Sequence, residues 1–235
     1  MSLLGIFHYI TGIGDSLMSG EHVDNGNYID SYDYSWLSYL CRRLNSKCKL
    51  YSHGGASAKS WLDTYGKQLV ESRDNCPCYF ICLGTNDFIQ KYNIGSVNDK
   101  PEANTFSGYY KLIIDMIKNK NPYAYIFACS MYEPETDTNE SGLTKGDYNK
   151  AIKNICNNYQ LTYYLDFINQ GECILGEPDI TMNGHYNTIG YYKVSYAFEK
   201  AAEKIIEENI NDFKKAGLFD SFALQYEYLK KNINI

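Results

Sequence analysis

The chain has 235 residues, 44% hydrophobic and 21% charged, which suits a single domain with a buried core and argues against disorder. A net charge of −6 at pH 7 and an isoelectric point near 5.3 argue against a nucleic-acid partner, which needs a basic face. No apolar run reaches the ~18 residues of a membrane span, so a membrane-spanning helix is not expected either.

Strand and helix patterns alternate along the chain. Ile6 to Ile13 is apolar, is bounded by glycine and predicts a first strand. Trp36, Leu37, Leu40, Cys41 and Leu44 recur at helical spacing over Ser35–Leu44. Lys47–Ser52 reads as a short second strand. After the His53-Gly54-Gly55 loop, Ser57 or Ser60 can cap a helix carrying Trp61, Leu62, Tyr65, Leu69 and Val70. Cys78–Leu83 is continuously apolar, as in a buried parallel strand. A loop at Gly84–Phe88 and an irregular stretch to Asn104 precede a helix marked by Tyr109, Leu112, Ile113, Met116 and Ile117. Tyr123–Cys129 is the fourth strand, Tyr148–Asn158 a helix and Leu161–Leu165 the fifth strand. A loop then reaches His185, and a long helix runs over Ile189–Glu208. This alternation implies a parallel sheet with helices on both faces. It places one α/β unit over residues 1–208 and a helical extension over 209–235, packed on that unit or at a subunit contact.

The eight cysteines include no pair of CxxC motifs, and Cys76-Pro77-Cys78 is a lone CxC. With no export signal, they read as reduced thiols in a cytoplasmic chain; a leader already removed would instead make the protein a secreted one. The 24 tyrosines read mainly as rim and core packing, with a few able to line a glycan cleft.

Chemistry concentrates at the strand ends. Gly14-Asp15-Ser16-Leu17 closes the first strand and lifts a serine hydroxyl to the sheet edge where open α/β folds keep their sites. Ser16 is a candidate nucleophile, or simply a helix N-cap. Gly12-Ile13-Gly14 begins a dinucleotide-type glycine pattern, but Leu17 stands where the third glycine belongs, and Met18 breaks the GxSxG alternative. A base must come from four histidines. His8 falls in the first strand, His22 just after Ser16, and His53 before the glycine pair. His185 sits in the loop after the fifth strand and so returns to the same edge as Ser16. Asn86, in Gly84-Thr85-Asn86-Asp87, can aim an amide at a developing oxyanion, or close an Asx turn. Gly55 can offer an unhindered backbone N–H, or be a turn glycine.

Taken in order, the block at Gly14-Asp15-Ser16-Leu17, Gly55, Gly84-x-Asn86-Asp87 and His185 followed by Gly190 resembles the SGNH (GDSL) hydrolase superfamily over residues 6–205. The resemblance implies a flavodoxin-like three-layer α/β/α fold with a five-stranded parallel sheet. It implies hydrolysis of an ester through an acyl-serine intermediate with neither metal nor cofactor. Ser16 would be the nucleophile and His185 the base, with Ser16, Gly55 and Asn86 as the oxyanion hole. The family usually places the triad aspartate three residues before the histidine, and that position here is Met182. Glu177 and Asp179 are the nearest upstream carboxylates. Asp179 is taken as the third member, with Asp166 or a backbone carbonyl as alternatives. The expected substrate is a small-molecule or glycan ester, with O-acetyl groups on carbohydrate preferred, since the chain is tyrosine-rich and shows no broad apolar lid. A catalytically weak or inactive glycan-binding or structural protein of the same fold is the second reading, and a nucleotide-binding flavodoxin-like protein the third.

Overall fold

The computed structural model describes residues 2–132, 138–173, 175, 179 and 184–214. Its centre is a five-stranded parallel sheet of β1 (Tyr9–Gly14), β4 (Lys47–Ser52), β5 (Cys78–Cys82), β6 (Tyr125–Cys129) and β7 (Thr162–Leu165), in the order β4-β1-β5-β6-β7. Counting sheet strands along the chain, this is 2-1-3-4-5, the flavodoxin-like order, whose direction reverses between β1 and β5. A separate hairpin, β2 (His22–Asp24) and β3 (Asn27–Ile29), follows the first strand.

Both sheet faces are apolar because each strand alternates between two helical layers. Ile10, Phe80, Phe127 and Cys129 face a cluster that includes Trp36, Leu37 and Leu40 of α2 (Trp36–Leu44) and Phe198, Ala201 and Ile205 of α8 (Thr188–Glu208). Ile13, Ile81, Ile126 and Ala128 face the opposite cluster. That one is built by Trp61 of α3 (Ala58–Trp61), Ile113 and Ile117 of α6 (Phe106–Lys120) and Ile152 of α7 (Lys145–Cys156). A π-helical segment, Leu62–Gly66, joins α3 to α4 (Lys67–Glu71). Ser57 caps α3 in a capping box with Ser60, and Thr144 caps α7 in another with Asp147, an arrangement in which each Ser or Thr cap stabilises its helix by about 1 kcal/mol.

The sequence expectation for the first strand needs moving. Leu3–Ile6 forms a 3-10 turn, the strand begins at Tyr9, and His8 lies exposed before it rather than inside it. The stretch expected as a loop at Gly84–Phe88 is largely the short helix α5 (Thr85–Ile89), entered through Gly84 at φ +132°. Gly12 and Gly14 serve packing. A Cβ on Gly12 would sit 2.7 Å from the Met18 sulfur, and one on Gly14 would reach 2.9 Å from the Cys82 carbonyl oxygen. Their bareness lets α1 (Ser16–Ser19) fold back tightly on β1.

Residues 210–214 are helical, and Phe213 is buried against the Tyr125 ring at a centroid distance of 4.7 Å. Most of the expected C-terminal extension, 215–235, lies outside the described residues, as do Glu177 and Met182. All eight cysteines are free thiols, and no described helix is long and apolar enough to cross a membrane.

Candidate active site

The strand ends are in register. Gly14 of β1 pairs with Ser52 of β4 on one side and Cys82 of β5 on the other, so the loops that follow all leave from one edge. That edge lies at the point where strand order reverses, which opens a crevice in sheets of this topology.

Asp15 caps α1 by accepting the Leu17 N–H on Oδ1 at 3.0 Å, and Ser16 becomes the first helical residue, nearly buried. The same carboxylate reaches the neighbouring loop, where Asn86 Nδ2 lies 3.4 Å from Asp15 Oδ2 and donates to the Ala56 carbonyl at 3.1 Å. Asp87, fully buried, receives the Ala58 N–H on both oxygens at 3.1 and 3.0 Å. The loops after β1, β4 and β5 are therefore tied together by two adjacent carboxylates and an amide. Burial pushes both carboxyl groups up, Asp15 and Asp87 each to about 7; for Asp15 the neighbouring charges of Asp87 and Glu21 add to it. Gly55 adopts φ +74°, which favours glycine, and space is open where its side chain would be.

His185 reaches this rim from the far end of the sheet. Its Nε2 lies 3.0 Å from Oε1 of Glu21, and the Tyr28 ring meets it edge-on at a centroid distance of 5.6 Å. Glu21 follows Gly20, the left-handed residue that ends α1, and its backbone N–H donates to the Ser16 carbonyl at 3.0 Å. The Tyr191 hydroxyl of α8 donates to the Glu21 carbonyl at 2.7 Å and lies 3.4 Å from the Ser16 carbonyl oxygen. Burial raises the Glu21 carboxyl above its usual range, Asp30 adds to that, and His53 opposes it.

The structure thus brings the loops of Ser16, Gly55 and Asn86 to one rim and His185 to Glu21 beside them, and among the described residues no hydrogen bond joins the imidazole to Ser16 Oγ. His22 is turned aside, its Nδ1 3.1 Å from Ser31 Oγ, and His53 Nδ1 lies 2.7 Å from the Gly54 carbonyl oxygen. Asp179 is buried, with its carboxylate 2.6 Å from Lys193 Nζ and its carbonyl accepting the Asn187 N–H at 3.0 Å. Asp166 spends its carboxylate on Asn169, through the backbone N–H at 3.0 Å and Nδ2 at 2.7 Å. Beside Ser16, a mainly apolar cleft runs between Leu17, Cys82, Met131 and Tyr186, with Asp15 and Ser130 as polar walls.

Sequence reasoning missed Glu21 and the hairpin that brings Tyr28 over His185. The hairpin did carry a signal. Asn25-Gly26 links its strands with φ of +49° and +79°, the Asn-Gly pattern of a two-residue type I′ turn. Glu21 carried none, because its partner comes from a remote loop.

A family model described as GDSL-like Lipase/Acylhydrolase matches residues 13–192. No curated protein matches the chain significantly. Among solved structures, a carbohydrate esterase family 2 enzyme with a carbohydrate-binding domain, from Corynascus thermopiles (Myceliophthora fergusii), superposes with a TM-score of 0.61 at 17% identity, over 83% of this chain and 65% of that one. A member of the lipolytic G-D-S-L family from Veillonella parvula gives 0.55 at 18% identity, over 80% and 94%. The salicylyl-acyltransferase SsfX3 of a tetracycline biosynthetic pathway gives 0.59 at 16% identity, over 85% and 55%. At these identities the superpositions establish the shared fold.

Proposed function

The chain belongs to the GDSL-like lipase/acylhydrolase family, and from that premise we propose that it is a serine ester hydrolase working through an acyl-serine intermediate. The observation that supports the reading is that the turn carrying Ser16 holds both other loops, Asn86 through the adjoining Asp15 and His185 through Glu21, at the crevice between β1 and β5.

In this reading Ser16 Oγ attacks the ester carbonyl carbon as His185 takes its proton. The negative charge that develops on the carbonyl oxygen is held by the backbone N–H groups of Ser16 and Gly55 and by the Asn86 amide. Asn86 Nδ2 already gives one proton to Ala56; the other meets Asp15 only at 3.4 Å and is the one an oxyanion draws away. Collapse breaks the bond to the alcohol oxygen, which leaves with the proton from His185. Water then attacks the acyl carbon and gives its proton to His185. Release of the carboxylic acid returns that proton to Ser16 Oγ.

The substrate class is a small acyl ester, with O-acetyl groups on carbohydrate preferred. A narrow cleft beside Ser16 supports a short acyl group, and Tyr28, half exposed next to His185, offers a ring on which a sugar can stack. A fluorophosphonate probe tests the reaction type. Covalent labelling of Ser16 that disappears in Ser16→Ala and His185→Ala supports it, and silence from a folded sample favours the catalytically inactive, glycan-binding alternative. Turnover of p-nitrophenyl acetate and acetylated sugars over long-chain esters supports the substrate class, and the reverse preference rejects it.

A further inference from the structure

We propose that Cys48 and Cys41 form a peroxide-reactive dithiol, in which Cys48 is the nucleophile that a hydroperoxide oxidises and Cys41 resolves the product as a disulfide. The site lies between α2 and the edge strand β4 and goes beyond the ester-hydrolase reading, on which it does not depend.

Local sequence brings the two sulfurs together. α2 ends at Leu44 and β4 begins at Lys47, so Asn45 and Ser46 alone separate them. Asn45 turns the chain at φ +55°, and the Ser46 N–H donates to the Cys41 carbonyl at 2.9 Å. The strand thereby doubles back along the helix. Ser38, Cys41 and Arg42 stand at i, i+3 and i+4, and so share one stripe of α2. That stripe and Cys48 line a single open cavity of about 420 Å³.

The surroundings favour a thiolate on Cys48 and a thiol on Cys41. Cys48 is exposed, alone among the eight cysteines, and its sulfur lies 3.9 Å from Ser38 Oγ. A hydrogen bond from Cys41 holds the Cys48 thiol below its ordinary range; Ser38 and the Arg42 guanidinium add to this, against the cost of desolvation. The same bond, together with burial, pushes the Cys41 thiol up, so Cys41 keeps its proton and donates it to Cys48. Arg42 is itself held in place. Its Nη2 donates to the Asp33 carbonyl at 2.8 Å, and its guanidinium stands 4.8 Å from the centre of the Tyr39 ring. Lys49, on the same wall, is paired with Asp74 at 2.8 Å. Cys82 and Cys129 are neighbours too, but burial pushes the Cys82 thiol well above its ordinary range and Cys129 is buried, so that pair offers no accessible thiolate. A low-lying, accessible thiol beside a second cysteine is the arrangement in which reversible oxidation is selective.

Hydrogen peroxide is the two-electron oxidant. The Cys48 thiolate attacks one peroxide oxygen and the O–O bond breaks. Hydroxide leaves and takes up the proton that Cys48 had released, which gives a sulfenic acid and a water. The Cys41 sulfur then attacks the Cys48 sulfur. An S–S bond forms, the S–O bond breaks, and the hydroxyl leaves as a second water with the Cys41 proton. The bridge ties α2 to the edge of the sheet.

The test uses the full chain, treated with a small excess of hydrogen peroxide, then alkylated, digested and mapped by mass spectrometry. A peptide linking Cys41 to Cys48, reversed by dithiothreitol, is expected before any other cysteine is oxidised. In the reduced protein, iodoacetamide near neutral pH labels Cys48 at least about tenfold faster than the buried thiols. In Cys41→Ala the sulfenic acid has no resolving partner, and dimedone traps it on Cys48. In Cys48→Ser, peroxide leaves Cys41 reduced. Circular dichroism checks that the variants are folded, and the wild-type peptide map stands without them. Labelling of Cys48 no faster than of the buried thiols overturns its role as nucleophile. A disulfide joining any other pair, a dimer linked through Cys48, or a Cys48 sulfinic acid that accumulates while Cys41 stays reduced overturns the pairing.

Discussion

The two halves of the site are built differently. On the nucleophile side, Ser16, Gly55 and Asn86 leave from three adjacent strands whose ends are held in register by the sheet. Their loops are short, and buried polar groups lock them: Asp15 on Leu17 and Asn86, and Asp87 on Ala58. On the histidine side, His185 stands before α8 after a long connection from β7, and its position at the rim comes from tertiary contacts with Glu21 and Tyr28. One half is preorganised by the backbone ladder of the sheet, while the other is docked onto it by a carboxylate contact and a ring. Preorganised donors suit a role in holding transition-state charge, because they cost no reorganisation at the moment of reaction.

Three further experiments sharpen or break this contrast. The largest effect is expected at the preorganised half. Asn86→Ala should slow ester turnover by roughly 10²–10³ with KM little changed, the loss typical of one missing oxyanion donor. Unchanged kcat would remove Asn86 from that part and leave it as a loop tie.

The second concerns the two buried acids that lock the same half. Asp15 and Asp87 are raised by burial from an ordinary 3.8 to about 7, so the folded state holds protons that the unfolded chain has already released between those values. The stability linked to them is fully present below the ordinary value and is lost as pH rises through about 7. Thermal melts should therefore show Tm falling between pH 5 and pH 8. Asp87→Asn should shrink that fall, and an equal fall in both proteins would contradict the assigned cause.

The smallest effect belongs to the docked half. Tyr28→Ala removes an edge-on ring contact worth about 0.5–1.5 kcal/mol beyond its area, and should change p-nitrophenyl acetate turnover only a few-fold. If Tyr28 stacks on sugar, KM for acetylated glycans should rise more than KM for the nitrophenyl ester. Equal changes for the two substrates would confine Tyr28 to supporting the imidazole.

Local pattern made much of the fold legible. Cys78–Cys82 and Tyr125–Cys129 show as apolar runs because both faces of a covered parallel sheet are buried, and α2 shows through the spacing of Trp36, Leu37, Leu40 and Cys41. Element ends were read less well. Ile6 is expected to open the first strand yet closes the 3-10 turn Leu3–Ile6, whose Leu4 is buried in the same cluster as Ala201 and Ile205 of α8. Within the site, the motifs named Ser16, Asn86 and Gly55 because each sits at a fixed offset from its own strand.

The sequence by itself determined the alternation of strands and helices, the apolar faces and the placing of serine, amide and glycine at strand ends, since all of these follow from period and from neighbours a few residues away. Tertiary structure alone decided what faces the imidazole. A contact of this kind depends on distance in space, and Glu21 and His185 share no element or motif; they meet where α8 packs back against the turn that follows β1.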